Sequence, residues 1–390
     1  MTRKGNRLHQ TSRPAQRGRR ATRNGRRPSQ GSGQTSTALT NRDSLTRLCS
    51  WLLPDDGIFS RVKLHGNTKW LPRCLVWLAL CWSLVDARHL GDAFDQALEV
   101  CSSLLPCTLT TYQGFMAALL SATDRLLPLL RGILQQRMQQ INSPFWRIGG
   151  WLPIAFDGSR STAPRTRSNE AAFCASNYGK GKTARYRKKK SKGMRRRRNE
   201  QNKPQPQQPQ AWITLLWHMG LRLPWTWRLG PSNASERGHV MDMLQAEDFP
   251  ADTLFCGDAG FVGYPLWAAL ARRGYHFLVR VGANVKLLSE QADCELVPQS
   301  SREYSVLCWP KEARDKRQPP LRLRLLRIEV GKTWMWLLTN VLDQTRLTAQ
   351  AARQLYKMRW GVETHQPDYT SRQRWCAPWV APYNCCKGAA

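Results

Sequence analysis

Short apolar runs that end on Gly or Asp recur through the second half of the chain. They are WLPIAFDG, AWITLLWHMG, LPWTWRLG, DTLFCGDAG and YHFLVRVG. Runs of this length, bounded by turn residues, are typical of buried strands. The segments SNASERGHVMDMLQAE and YPLWAALARRG between them have helical spacing, with a Ser cap on the first and a Gly stop on the second. Strands joined through helices predict an α/β layer over residues 150–282.

The flanking regions have different periodicities. Between residues 43 and 145, apolar side chains recur every three or four positions, which predicts an all-α N-terminal domain that binds DNA. Residues 283–345 are mostly strand-like and predict a β-rich insertion. The last periodic segment, residues 346–366, predicts a helix that carries Tyr356, Arg359 and Glu363 on one face.

The net charge of +33 is the most unusual property of the composition. Residues 1–42 contain no acid and few large apolar groups, which predicts a disordered basic arm. Residues 180–198 hold twelve Lys and Arg and no acid, and the sequence NKPQPQQPQ follows, so residues 179–210 predict a flexible insertion. Such charge favours nucleic acid as a partner. The alternative is a solvated tail and loop without any partner.

Cysteine usage and hydropathy indicate the cellular compartment in which the protein is expected. None of the twelve cysteines forms a C-x-x-C pair, and most lie in apolar stretches, which indicates buried thiols in a reducing environment. The basic N-terminus has no apolar segment of the kind that a secretory signal needs. CLVWLALCWSLV is too short to cross a bilayer. We therefore expect a cytoplasmic, nucleoid-associated protein without a membrane partner.

Three acids could carry chemistry. Asp157 and Asp258 each end an apolar strand beside a Gly, and Glu363 lies on the last helix. Carboxylates from separate elements can hold the two metal ions used in phosphoryl transfer on nucleic acid. Each Asp could instead be only a turn former or helix cap. Arg359 and Glu363 could likewise be only a surface ion pair.

Several segments together resemble the DDE transposases of bacterial insertion sequences, and among these the insertion-sequence-four type. They are AFDGSR, PRTRSNEAAF, LPWTWRLGPSNASERGH, CGDAGFVGY, FLVRVGANVKLL and LYKMRWGVE. The resemblance runs from about residue 43 to 363 and is strongest from 151 to 363. The three acids, 101 and 105 residues apart, suit that group, in which a β-rich insertion separates the second Asp from the Glu. The fold that the resemblance implies is a ribonuclease H-like catalytic core.

The resemblance also implies roles for individual residues. Asp157, Asp258 and Glu363 would be the catalytic triad and would bind two divalent ions, Mg²⁺ or Mn²⁺. Tyr356 and Arg359 match the first two members of the motif Tyr-x2-Arg-x3-Glu-x6-Lys, whose Arg and Lys contact DNA phosphates. We predict further DNA contacts by Arg160 and by the basic cluster Lys188, Lys189, Lys190, Arg195, Arg196, Arg197 and Arg198.

The sequence departs from the family pattern after Glu363. Thr370 stands where the motif has Lys. The family continues with a long helix, which this sequence cannot form because it contains Pro367, Pro378 and Pro382. We interpret residues 367–390 as an aberrant tail that arose by frameshift or truncation, and we expect another reading frame to encode the continuation.

These inferences predict a transposase that cleaves DNA at the terminal inverted repeats of an insertion sequence and joins it to target DNA, as a homodimer in a paired-end complex. One alternative is a catalytically inactive, truncated remnant that still binds DNA. Another is a basic RNA-binding protein that merely has acids at its strand ends. Metal-dependent nicking of terminal-repeat DNA distinguishes the first possibility from the other two.

Overall fold

The computed structural model describes most of the chain between Arg42 and His365. The described residues are 42–55, 57–60, 62, 70–85, 87, 89–105, 111–164, 166–174, 209–282, 294–331 and 333–365. Side chains are described for these residues except 42–45 and 360–365. The predicted basic arm at 1–42, flexible insertion at 179–210 and aberrant tail at 367–390 lie outside the described residues, except for Arg42, the first residue of a helix, and residues 209–210, where a strand begins at Gln210.

Helices occupy the described part of residues 43–145. They are α1 (Arg42–Leu52), α2 (Pro72–Leu84), α3 (Leu90–Leu104) and α4 (Tyr112–Gln140). Thr111 caps α4, because its Oγ1 accepts a hydrogen bond from the Gly114 N–H at 3.3 Å. The apolar faces of these helices pack around aromatic rings, such as those of Trp82 and Phe115, whose centroids are 5.4 Å apart. The helical spacing is therefore realised, while an independent DNA-binding domain stays a prediction.

Helix α4 belongs to two hydrophobic cores. Its N-terminal half packs in the helical cluster through Phe115, and its C-terminal half reaches the core of the sheet through Met138. Near that end, Gln135 Nε2 donates to the Trp225 carbonyl at 3.0 Å and to Glu247 Oε2 at 2.9 Å. The helical region is thus joined to the sheet by packing and by buried polar contacts.

The described strands form one mixed sheet in the order β3-β2-β1-β4-β5-β9-β8-β7-β6. The strands are β1 (Leu152–Thr162), β2 (Gln210–His218), β3 (Leu223–Gly230), β4 (Thr253–Gly257), β5 (His276–Val281), β6 (Cys294–Pro298), β7 (Glu303–Cys308), β8 (Leu321–Val330) and β9 (Thr333–Thr339). The helices that follow α4 are α5 (Arg167–Phe173), α6 (Glu236–Ala246), α7 (Tyr264–Arg272), α8 (Lys311–Asp315) and α9 (Ala349–His365). This arrangement confirms the predicted α/β class.

The centre of the sheet is parallel. β4 pairs in parallel with both β1 and β5, and α7 connects β4 to β5. β2 and β3 form the predicted antiparallel hairpin, whose turn contains Arg222 at a φ of 58°. Ser235 caps α6 as predicted, with its hydroxyl accepting from the Gly238 N–H at 3.2 Å.

Strand β1 continues past the point where the sequence suggested that it ends. We expected the strand to stop at Asp157, but it runs on to Thr162. The parallel partner β4 pairs only with residues 152–155, whereas β2 pairs with residues 154–162. β1 and β4 therefore separate just before Asp157, and a crevice opens there although β1 itself does not end.

The strand-rich region at 283–345 is continuous with the central sheet. β9 pairs antiparallel with β5, from Leu278 opposite Thr339 to Val281 opposite Trp336. β8, β7 and β6 follow β9 as further antiparallel strands. The predicted β-rich segment is present, and hydrogen bonds join it to the strand next to β4.

The two faces of the sheet carry different helices. Phe156 of β1 and Phe255 of β4 face the core formed with α6 and α7. Ala155 and Cys256, one residue away on each strand, face the core formed with α9. Because side chains alternate along a strand, the next residues on the α9 side include Asp157.

Candidate active site

Asp157 and Asp258 lie next to each other at the crevice between β1 and β4. The last parallel pair is Ala155 opposite Cys256, so the two acids stand two residues beyond it on neighbouring strands. Alternation directs both side chains toward the α9 face. Both residues are partly exposed. Clefts at the carboxyl ends of parallel strands, where the sheet divides, are common ligand sites in α/β proteins.

Each acid accepts a hydrogen bond from a backbone N–H one or two residues after it in the chain. Asp157 Oδ1 accepts from the Gly158 N–H at 2.9 Å, and Asp258 Oδ1 accepts from the Gly260 N–H at 2.7 Å. Asp258 thereby caps the short 3₁₀ turn Ala259–Phe261. The sequence left open that each Asp is a helix cap, and Asp258 is one. An ionised carboxylate offers about four lone-pair sites, so capping through one oxygen is compatible with binding a cation.

Helix α9 starts beside the N-terminal ends of β1 and β4. Trp151 Nε1 donates to the Arg346 carbonyl at 3.2 Å, and the Arg346 guanidinium forms an ion pair with Asp252. Trp151 and Asp252 directly precede β1 and β4, respectively. The beginning of α9 is thus anchored at the end of the sheet opposite to the acids.

From that anchor, α9 packs along β1 and β4 toward the acids. Ala349 to Glu363 is a rise of about 21 Å along a helix. Leu152 to Asp157 is about 17 Å along a strand. A helix of this length that runs along the strands is long enough to bring the backbone of Glu363 to the level of the two Asp residues, and the role of Glu363 stays a prediction. The side chain of Glu363 lies outside the described residues.

Tyr356 and Arg359 are buried beneath the acids rather than displayed on the surface. Tyr356 is 1% exposed and Arg359 is 4% exposed, and the guanidinium carbon is 5.3 Å from the Tyr356 ring centroid. Burial raises the pKa of Tyr356, Arg359 opposes that rise, and Asp258 adds to it. Burial also raises the pKa of Cys256 to about 12 against the influence of Arg359. Direct contact of these two residues with DNA stays a prediction.

Arg160 lies in the outer part of β1, is exposed, and by alternation belongs to the α6 face of the sheet, opposite to Asp157. Its guanidinium carbon is 3.9 Å from the ring centroid of Trp212, its register partner on β2. The stacking holds a cation and a flat aromatic surface together beside the crevice, which is an arrangement suited to nucleic acid. The other predicted DNA contacts, at residues 188–190 and 195–198, lie outside the described residues.

Glu236 is a site residue that sequence reasoning missed. It opens α6, and its side chain lies against Gly158, where a Cβ would be 2.4 Å from Glu236 Oε1. Burial raises the pKa of Glu236, and the Asp258 and Asp157 carboxylates add to the rise, while Arg160 opposes it. An acid after a Ser cap is ordinary at a helix start, so the sequence alone gave no sign of its location.

Comparison with known families shows which family the chain belongs to. Residues 153–371 match the family described as transposase DDE domain, which is more than half of the chain. The chain belongs to the transposase DDE domain family. Membership confirms the predicted DDE transposase resemblance and implies a ribonuclease H-like core and an enzyme class of nucleases and strand transferases. The match also extends beyond Glu363 and includes Thr370.

Other comparisons give more distant relations. Among solved structures, the cryo-EM structure of the piggyBac transposase synaptic complex with hairpin DNA is similar at 12% sequence identity and a TM-score of 0.38. That similarity covers 90% of this chain and 74% of that chain. Curated protein sequences include no match to this one.

DDE transposase domains generally use divalent metal ions, and the described residues fit such ions in type. Asp157 and Asp258 offer oxygen donors, which Mg²⁺ and Mn²⁺ prefer. Among the described side chains, no three His, Cys, Asp or Glu are grouped so as to hold a metal ion by themselves. Mg²⁺ is usually held by one or two carboxylates together with water and substrate phosphates. The Asp pair offers oxygen donors of the right type, and a metal site at these residues stays a prediction.

Hydropathy adds one negative finding. Within the helices of the described residues, none is both long and apolar enough to span a membrane.

Proposed function

We propose that this DDE transposase family member cleaves DNA at the terminal inverted repeats of a bacterial insertion sequence of the insertion-sequence-four type and transfers the freed 3′ end to target DNA. Asp157, Asp258 and Glu363 form its catalytic triad in this proposal. The observation that carries it is the placement of Asp157 and Asp258 side by side where β1 and β4 separate, with α9 packed along the same strands.

Each residue of the site has its own role in this proposal. Asp157 and Asp258 would hold the divalent cations from the sheet, and Glu363 would hold them from α9. The chemistry supplied by a bound pair of Mg²⁺ or Mn²⁺ ions is activation of the attacking oxygen and stabilisation of the leaving oxygen. The N–H groups of Gly158, within β1, and of Gly260, in the turn after Asp258, donate to the two carboxylates and fix them. A fixed pair reduces the reorganisation needed when the phosphate binds.

DNA is held by positive charge around this crevice. Arg160, stacked on Trp212 and exposed, contacts the strand next to the reacting phosphate in our proposal. The twelve basic residues of segment 180–198 add phosphate contacts, and the working unit is a homodimer on paired ends. Arg359, which is 4% exposed, acts from beneath the acids by placing a buried positive charge near the site.

Cleavage of terminal-repeat DNA tests this function. The full chain is incubated with a duplex carrying the terminal inverted repeat, in Mg²⁺, Mn²⁺ or EDTA, and nicks are resolved on a denaturing gel. The variants Asp157→Asn, Asp258→Asn and Glu363→Gln should each lose at least about a hundredfold in rate, because even outer-shell partners of a metal cost about 10–100-fold. Asp242→Asn, an exposed acid on α6, is the matched control and should cleave normally.

The outcomes separate the possible functions. Metal-dependent cleavage that all three variants lose supports the transposase. A wild-type chain that binds the terminal repeat but never cleaves it would identify an inactive DNA-binding remnant. Preference for structured RNA over the terminal repeat would refute the DNA proposal.

A further inference from the structure

Side chains of β7, β8 and β9 form a surface of stacked Arg and aromatic groups. The Arg327 guanidinium carbon lies 4.2 Å from the ring centroid of Trp334 and 5.8 Å from that of Trp336. The Arg302 guanidinium carbon is 5.7 Å from the Trp334 centroid. Tyr304 packs against Trp336, with the two ring centroids 5.6 Å apart. These five residues are named the arginine–tryptophan surface.

This surface is open to solvent although it contains large aromatic rings. Trp334 is 42% exposed, Arg302 is exposed, and Arg327 is partly exposed. The N–H donors of a guanidinium lie in its plane, so stacking on a ring leaves them available to a further acceptor. Exposed aromatic rings together with arginines are the composition of a surface that binds nucleic acid.

Strand register places this surface at the same end of the sheet as Asp157 and Asp258. One row of register partners crosses β1, β4, β5 and β9: Ala155, Cys256, Leu278 and Thr339. Asp157 and Asp258 stand two residues beyond this row, toward the carboxyl ends of β4 and β5. Trp336 stands three residues beyond the same row and Trp334 five, because β9 runs antiparallel to β5.

The stack of Arg160 on Trp212 lies at a matching level on the other side of the crevice. Arg160 is five residues beyond the same row, as Trp334 is. It belongs to the α6 face, and so does the arginine–tryptophan surface, since Trp336 packs against the core formed with α6 and α7. Between the two stacks, β4 and β5 end earlier. The crevice is therefore flanked by an Arg–Trp stack on each side.

We propose that the arginine–tryptophan surface is a further DNA-binding surface, where Arg302 and Arg327 contact backbone phosphates of a duplex held at the crevice. This inference rests on the proposed function. Both arginines complement the charge of DNA, and stacking on Trp334 orders them before DNA binds, which lowers the entropy cost of the contact. Exposed Glu329, the register partner of Trp334, is an acid at the margin of the surface and opposes the contact.

Duplex binding measured against salt concentration tests this surface apart from cleavage. The full chain is titrated into a fluorescein-labelled duplex of arbitrary sequence in EDTA, and the anisotropy gives Kd at several NaCl concentrations. Each phosphate contact contributes about 0.9 to the slope of log K against log salt, so Arg302→Ala and Arg327→Ala should each reduce its magnitude by about one. Arg322→Ala, an exposed residue of β8 toward the opposite end of the sheet, is the matched control and should keep the wild-type slope.

Two further variants retain both arginines and test their surroundings. Trp334→Leu removes the ring on which both guanidinium groups stack, so affinity should fall about two- to fivefold while the slope stays close to that of the wild type. Glu329→Gln removes the neighbouring negative charge and should tighten binding. Wild-type affinity in Trp334→Leu would contradict the ordering of the arginines by stacking. Thermal midpoints measured alongside show whether each variant is folded.

The pattern among the variants separates this inference from the proposed function. If Arg302→Ala and Arg327→Ala keep the wild-type slope while the wild-type chain cleaves the terminal repeat, the surface contacts no DNA and the function stands. If Arg322→Ala reduces the slope equally, the effect is one of net charge and the assignment is wrong. Weaker binding of structured RNA alone by the two Arg variants would also overturn it. If the wild-type chain binds no duplex, both the surface and the function fail.

Discussion

Gly257→Ala is a small substitution with a large predicted effect, because the last residue of β4 has no room for a side chain. A Cβ there would lie 2.5 Å from Phe156 Cε2 and 3.1 Å from Phe261 Cβ. Phe156 is fully buried, and its ring centroid is 4.6 Å from that of Phe261. The new methyl group must therefore displace the Phe156 ring, and Phe156 directly precedes Asp157.

The magnitude follows from the packing. Overpacking a dense core costs about 1–3 kcal/mol. At about 2 °C for each kcal/mol in a chain of this size, the thermal midpoint should fall by about 2–6 °C. Residues 156 and 257 each adjoin one of the two Asp residues that we propose to be catalytic, so the same displacement moves these acids. A shift of about 1 Å in such a site can reduce the rate about a hundredfold.

Thermal unfolding and the nicking assay measure both effects. Gly132→Ala is the matched control, because it lies within α4 and nothing is within 4 Å of the added Cβ. Alanine is favoured over glycine in a helix by about 0.5–1 kcal/mol, so this control should melt at the same temperature or slightly higher. If Gly257→Ala melts with the wild type and cleaves at the wild-type rate, the crevice is not packed as described.

Two further predictions concern pH and salt. Burial lowers the pKa of His218 to about 4 from 6.5, so its contribution to stability is present above pH 6.5 and is lost as pH falls toward 4. In His218→Gln, the thermal midpoint should change less with pH over this range. An equally steep change in the variant would contradict the role of His218. Deleting residues 180–198 should reduce the slope of log K for DNA against log salt concentration, because the segment supplies twelve positive charges. An unchanged slope would mean that the segment contacts no phosphate.

Local pattern was sufficient to predict the elements that build the site. The apolar run before Asp258 is β4, the Ser235 cap begins α6, and the last helix starts next to Thr348, whose Oγ1 accepts from the Ala351 N–H at 3.1 Å. These features depend on residues close in sequence. The position of Asp157 within a continuing strand depends instead on which neighbours pair with β1, and a sequence does not display strand pairing.

Long-range packing explains the remaining differences. The pairing of β9 with β5, which makes one sheet of two predicted regions, joins residues about sixty positions apart. The spacing of Tyr356 and Arg359 correctly predicted a shared helical face, but only the packed structure reveals that this face is covered by the sheet. Glu236 was missed for the same reason, since only the contact with Gly158 distinguishes it from an ordinary first-turn acid.

The long helix α4 has a mechanical consequence. Its 29 residues form a rod of about 43 Å, with one end in the helical core and the other held to the sheet by Met138 and Gln135. At about 3.4 Å per base pair, this is the length of about 12–13 base pairs of duplex DNA. If the helical region binds DNA as we predict, α4 sets the distance between that contact and the sheet.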